Sequence, residues 1–166
     1  MKYVTEFFFC SQKLLEHVPE LKEIYSCIES VPWRDNFSIT IDGVIYQHQS
    51  AYNRALGLEF AKSSWKSEPL LCDNPRLIGD FQKNDIFVEV QFGNSATLYR
   101  DYYKFHYGVL HRLLSLAVLI VPVRPTEFFP TRPKSVTNMA EFDLACRYFN
   151  LLPLPVPIVV IGLLHG

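Results

Sequence analysis

The stretch RLIGDFQKNDIFVEVQF, residues 76–92, decides the fold. Two apolar runs, Leu77 to Gln82 and Ile86 to Phe92, flank the turn-prone trio Lys83-Asn84-Asp85, so two short strands joined by a tight turn are predicted. In the second run Phe87, Glu89 and Gln91 share one face of the pleat, and Ile86, Val88, Val90 and Phe92 share the other. A carboxylate and an amide inside IFVEVQF are costly to bury unless they have partners.

Downstream, Gly93-Asn94-Ser95 opens a predicted helix over 96–115, with Asn94 or Ser95 as its N-cap. Leu116 to Val121 reads as a strand buried on both faces. A Pro-rich loop follows over 122–135, then a helix near 139–149, capped by Thr137 or Asn138 with Glu141 at capping-box distance from Asn138. Leu152 to Pro157 is a stiff linker, and Ile158 to Leu164 is a last buried strand.

Upstream, residues 11–30 place Leu14, Leu15, Val18, Leu21, Ile24 and Ile28 at helical spacing, interrupted by Pro19. Phe37 to Ile41 and Val44 to Tyr46 flank Asp42-Gly43, a strong hairpin signal, and residues 49–62 read as a helix. The pattern is that of an α/β fold, a mixed central β-sheet flanked by helices on both faces. The chain reads as a single domain over 1–166, with an N-terminal helix and hairpin in 1–48 and a catalytic core in 49–166.

The bulk numbers fit this. With 166 residues, 49% apolar and 20% charged, the chain can bury a sizeable core and is not a disordered sequence. A net charge of -1 gives no global basic signature, so nucleic-acid contact must use a local basic face. Cys10, Cys27, Cys72 and Cys146 are scattered without metal-finger spacing, which points to reduced structural thiols. The first ten residues lack the features of a signal peptide, and Leu113 to Val121 is too short to span a bilayer, so a cytoplasmic protein without membrane contact is expected.

The chemistry centres on Asp80, nine residues before Glu89, with Gln91 two further on. The tight turn returns the Asp80 strand opposite Glu89, so both carboxylates can converge on one hard divalent cation, with the carbonyl of Val90 as a backbone ligand. Such an ion polarises a phosphodiester and acidifies water. Gln91 can hold the attacking water or a phosphate oxygen, but it is neither a cation nor a base. An edge strand with one solvated face would show the same pattern, and spacing alone does not separate the two.

The stretch GDFQKNDIFVEVQFGNSATLYRDYYKFHYGVL, residues 79–110, resembles the BglII/BamHI group of type II restriction endonucleases, within the PD-(D/E)xK nuclease superfamily. In that group an Asp and a spacer precede Glu-Val-Gln, then Phe-x-Asn and a helix. The segments LAVLIVP, SVTNMAEFDLACRYF and PIVVIGL look similar in the same order, and Asn53, Phe60 and Trp65 fall where relatives carry a helix ending in a turn. The resemblance implies Asp80 and Glu89 as metal ligands and Gln91 in the place of the superfamily's Lys, with Gly79 replacing the usual Pro.

It further implies a homodimeric, Mg²⁺-dependent, sequence-specific double-strand DNA endonuclease, leaving 5′-phosphate and 3′-hydroxyl ends, with the 96–115 helix at the dimer interface and its start facing DNA. Asn94 and Ser95 are then candidates for phosphate or groove contacts. Arg100, Lys104, His106, His111 and Arg112 fall on that helix; Arg100 is a DNA-contact candidate, and a solvated polar face opposite the stripe Tyr102, Phe105, Val109 and Leu113 is the plainer reading of the pattern. In the loop with Arg124, Thr131, Arg132, Lys134 and Ser135, Arg132 and Lys134 are DNA-contact candidates. Glu59 and Glu68 are possible extra ligands, Glu59 reading better as a surface charge, and no histidine has metal spacing. Two other readings stand beside the first. The chain ends soon after its last strand, as a DNA-binding or assembly subunit needing a partner chain could; a repair or homing nuclease of the same superfamily is the other.

Overall fold

β8 (Ile86–Val90) and β9 (Leu116–Pro122) run parallel at the centre of a six-stranded sheet in a computed structural model that describes residues 1–10 and 16–166. Beyond β9 lies β10 (Ile158–Leu163), also parallel, and then β1 (Tyr3–Phe8), antiparallel at the edge. On the other side β7 (Phe81–Lys83) pairs antiparallel with β8, and β4 (Lys66–Ser67) pairs with β7. The order is β1-β10-β9-β8-β7-β4. Edge strand β1 is an element that the sequence reading passed over. Its alternating exposure is that of a half-solvated strand.

Strand periodicity divides the core. Val88, Val118, Ile120, Val159 and Ile161 point to one face, which α1 (Pro19–Ser30) and α2 (His48–Lys62) cover with Leu21, Ile24, Leu56 and Phe60. Phe87, Ala117, Leu119, Val121 and Val160 point to the other, covered by Leu98 and Phe105 of α3 (Thr97–Leu110) and by Ala145 and Phe149 of α5 (Phe142–Leu151). The expected mixed sheet with helices on both faces is the observed architecture. Of the helix expected over 11–30, positions 11–15 lie outside the described residues, and the helix seen starts with Pro19 at its first turn.

Several boundaries differ from expectation for physical reasons. β2 (Ser38–Ile41) and β3 (Val44–Gln47) form the expected hairpin, with Asp42 at φ 50° and Gly43 at φ 78°, the left-handed pair its turn needs. The run Leu77 to Gln82 is split. β6 (Leu77–Ile78) pairs with β5 (Leu70–Cys72), β7 pairs with β8, and Asp80 falls in the gap between them and not on a strand. Helix α3 stops at Leu110 because Leu113 N–H donates to the Gly108 carbonyl and Arg112 turns left-handed at φ 54°.

Thr137 and Asn138 do not cap α5. Residues 138–140 are held extended against 93–95, through Ser95 N–H to Asn138 O and Ala140 N–H to Gly93 O, so the helix begins at Phe142 with Glu141 before it. The Pro-rich segment contains one short turn of helix, α4 (Pro125–Phe128). Ala96, not Asn94 or Ser95, precedes the first residue of α3; Asn94 Oδ1 accepts from the Ala96 N–H.

Candidate active site

Glu89 shares its face of β8 with Phe87 and therefore points beneath α3, where it is only 2% exposed. Lys104 reaches down from α3 and donates to Glu89 Oε2 at 2.6 Å. The same ammonium lies 3.3 Å from Asp101 Oδ1, one helical turn away. Asp101 in turn accepts at Oδ2 from Gln91 Nε2 at 2.5 Å. Gln91 Oε1 takes the Gly93 N–H at 2.8 Å. A Cβ on residue 93 would lie 2.7 Å from that oxygen, so only glycine admits this fold-back.

Asp80 enters from the β6–β7 gap. Its Oδ2 accepts the Val90 N–H at 2.7 Å, and its own carbonyl accepts the Glu68 N–H at 2.9 Å. The side chain thus sits beside Glu89 and raises the cost of charging it. Burial first, and Asp80 second, hold the Glu89 carboxyl well above its ordinary value of 4.5. Burial also raises Asp80 and Asp101, despite the opposing Val90 hydrogen bond on Asp80 and the Gln91 hydrogen bond on Asp101. For Lys104, burial works against the charge, but Glu89, Asp101 and Asp80 outweigh it and the amine is raised and stays protonated.

Three carboxylates and one ammonium sum to a formal charge of -2 when all are ionised. Of these charges, that of Glu89 is the most strongly opposed, by burial and by Asp80. The arrangement fits a divalent ion by one further observation. Glu89 Oε1 is the buried side-chain oxygen that lacks any hydrogen-bond partner among the described residues. It points toward Gly79, where a Cβ would come within 3.1 Å of it and within 3.3 Å of Pro69 Cγ. That crowding gives a local reason for glycine at this position. Hard cations take such carboxylate oxygens together with a backbone carbonyl.

Asp80 and Val90 also line a groove of about 720 Å³, with Asn53, Arg54 and Glu68 on its walls. Glu68 therefore faces the same opening, whereas Glu59 is paired with exposed Lys62 at 2.6 Å, the surface charge expected. Among the DNA-contact candidates, Arg100 is exposed and near enough to Asp80 to favour its ionised form. Asn94 and Ser95 lie between Gln91 and α3, pinned to 138–140. Arg132 is not free: it donates to Gln49 Oε1 at 2.9 Å. Lys134 is exposed on its loop. Among the described residues, neither Arg132 nor Lys134 makes a hydrogen bond or ion pair with the carboxylate cluster.

Lys104 corrects the sequence reading, which put it on a solvated face. It is 3% exposed, and Asp101 is 2% exposed. The signal was available. Leu98, Phe105 and Gly108 are the buried positions of α3, and 101 and 104 fall among them at i+3 steps. The expected stripe through Tyr102, Val109 and Leu113 was rotated from this one; those residues are half-buried or exposed.

The profile of the restriction endonuclease BglII/BglIII family matches residues 3–163. The chain belongs to the BglII/BglIII family of restriction endonucleases. Solved structures of similar fold include restriction endonuclease BglII complexed with a DNA 16-mer, at TM-score 0.80 and 20% identity, over 100% of this chain and 78% of that one. Free BglII matches at TM-score 0.70 and 21% identity, over 100% and 81%. No curated protein is a significant match to the sequence. Family membership makes the chain a type II site-specific deoxyribonuclease, and its mixed sheet flanked by helices is that of BglII. Among the described residues, no helix is long and apolar enough to cross a membrane.

Proposed function

We propose that this family member is a homodimeric, Mg²⁺-dependent endonuclease of the PD-(D/E)xK type, cutting double-stranded DNA at a specific sequence to leave 5′-phosphate and 3′-hydroxyl ends. The observation that carries the metal-dependent reading is buried Glu89 beside half-buried Asp80, with Glu89 Oε1 left without a partner among the described residues. Asp80, Glu89 and the Val90 carbonyl would hold the ion, and a divalent cation there supplies the Lewis acidity that polarises a phosphodiester and acidifies water. Gln91 already donates one amide N–H to Asp101, and its second is available to water or a phosphate oxygen. Exposed Arg100, within electrostatic reach of Asp80, offers charge to a phosphate, and Asn94, Ser95, Arg132 and Lys134 are proposed DNA contacts. DNA binding by this chain is supported by its likeness to a BglII–DNA complex. Four free cysteines fit a cytoplasmic setting.

Dimerisation is supported by α3 itself. Tyr99, Tyr103 and Leu110 are 58%, 50% and 67% exposed at i, i+4 and i+11, an apolar stripe on the side away from the buried face. A two-fold dimer would place two copies of the site on a palindrome, one per strand. The test is cleavage by Asp80→Ala and by the parent protein with Mg²⁺ and plasmid. Discrete fragments from the parent alone are expected, with DNA binding retained by the variant. Cleavage by Asp80→Ala at the parent rate rejects the site, and binding or nicking only after a second chain is added favours an assembly subunit. Random fragment ends would favour a repair-type nuclease.

A further inference from the structure

Gln91 carries no charge, yet an ammonium reaches its neighbour Glu89 from a different element. Lys104 Nζ is 2.6 Å from Glu89 Oε2, and the cation, the carboxylate and Asp101 are all at most 3% exposed. A buried ion pair of this kind is costly to assemble and is weak support for stability on its own. Its geometry is specific, however. Lys104 occupies one oxygen of Glu89 and leaves Oε1, the unpartnered one, directed at the Gly79–Asp80 side. One turn earlier, Asp101 occupies the Gln91 amide.

We propose that Asp101 and Lys104 are positioning residues of the cleavage site, through which a single turn of α3 presets both Glu89 and Gln91 on β8. Lys104 fixes the Glu89 carboxyl in the rotation that presents Oε1 to a divalent ion. Asp101 fixes the Gln91 amide so that its remaining N–H points away from the helix. Asp101 also shares the Lys104 ammonium, so the two catalytic side chains are coupled through one hydrogen-bonded chain, Gln91–Asp101–Lys104–Glu89. Groups that orient metal ligands from behind are worth roughly 10–100-fold in metal affinity or activity.

This rests on the metal-site reading above, and the experiment separates the two. Mn²⁺ binding is measured by calorimetry on the protein with uncleavable duplex DNA, and kcat and KM are measured with Mg²⁺, for the parent, Lys104→Met, Lys104→Gln and Asp101→Ala. Lys104→Met is expected to weaken Mn²⁺ binding at least about tenfold. Lys104→Gln keeps a donor and most of the volume; it should recover part of that loss and serves if the first variant does not fold. Asp101→Ala should lower kcat about tenfold or more, with KM near the parent's and a smaller loss of Mn²⁺ affinity than Lys104→Met. A purely structural role would lower the melting temperature without this split. Mn²⁺ binding unchanged or tighter in both Lys104 variants overturns the proposal while leaving the metal site standing. A parent that takes up no Mn²⁺ removes the metal site itself and the positioning proposal with it.

Discussion

Glu89→Gln should make the metal-free protein more stable while abolishing cleavage. The carboxyl is 2% exposed, and burial and Asp80 together hold its pKa well above 4.5. Ionisation of this group is therefore opposed in the folded chain and not in the unfolded one, a cost to stability of about 1.4 kcal/mol for each pH unit by which the folded value is raised. Against this, the hydrogen bond from Lys104 weakens by about 1 kcal/mol when its acceptor becomes a neutral amide.

The amide N–H introduced in place of Oε1 faces Asp80, so no new unpaired donor results. The net effect is a rise in Tm, each kcal/mol gained being worth roughly 2–4 °C for a chain of this length. Because the folded pKa is raised, the stability of the parent is fully present below pH 4.5 and is lost as the pH rises through the folded value. The difference between variant and parent should therefore be large at pH 8 and shrink toward pH 5. Calorimetric unfolding in EDTA at the two pH values measures it. A variant that melts below the parent at pH 8 would refute the account of a carboxyl whose charge is opposed by burial and by Asp80. Cleavage by the same variant should fall by about a thousandfold or more, since a metal ligand is worth several kcal/mol to the transition state.

Mg²⁺ should raise the Tm of the parent at pH 8 and not that of Asp80→Ala, because an ion held by Asp80 and Glu89 binds the folded chain alone; equal shifts would locate the binding elsewhere. Leu110→Glu places a charge in the exposed stripe of α3 and should convert a dimer to a monomer in sedimentation velocity, without loss of secondary structure. Gly162→Ala should destabilise by about 1–3 kcal/mol through overpacking. Its added Cβ would meet Val123 Cγ2 at 2.6 Å and Phe142 Cδ2 at 2.7 Å, between β10 and the start of α5. Unchanged chemical denaturation of that variant would show that α5 shifts freely.

The amino-acid sequence by itself determined the parts of this protein whose signals are local. Alternating and continuous apolar runs set β8, β9 and β10, Asp42-Gly43 set a hairpin, and the spacing of Asp80, Glu89 and Gln91 carried the family likeness. Each of these follows from side-chain periodicity or turn chemistry within about a dozen residues. What only the tertiary structure decided depends on which distant segment covers a given face. Tyr3–Phe8 is a strand because β10 offers an edge, and residues 138–140 are extended because they lie against 93–95. Asp101 and Lys104 are buried because α3 sets their side against the sheet, where Glu89 and Gln91 wait. A helical charge reads as solvated until its neighbours are known, since burial is a property of the packed layers and not of the helix that carries it.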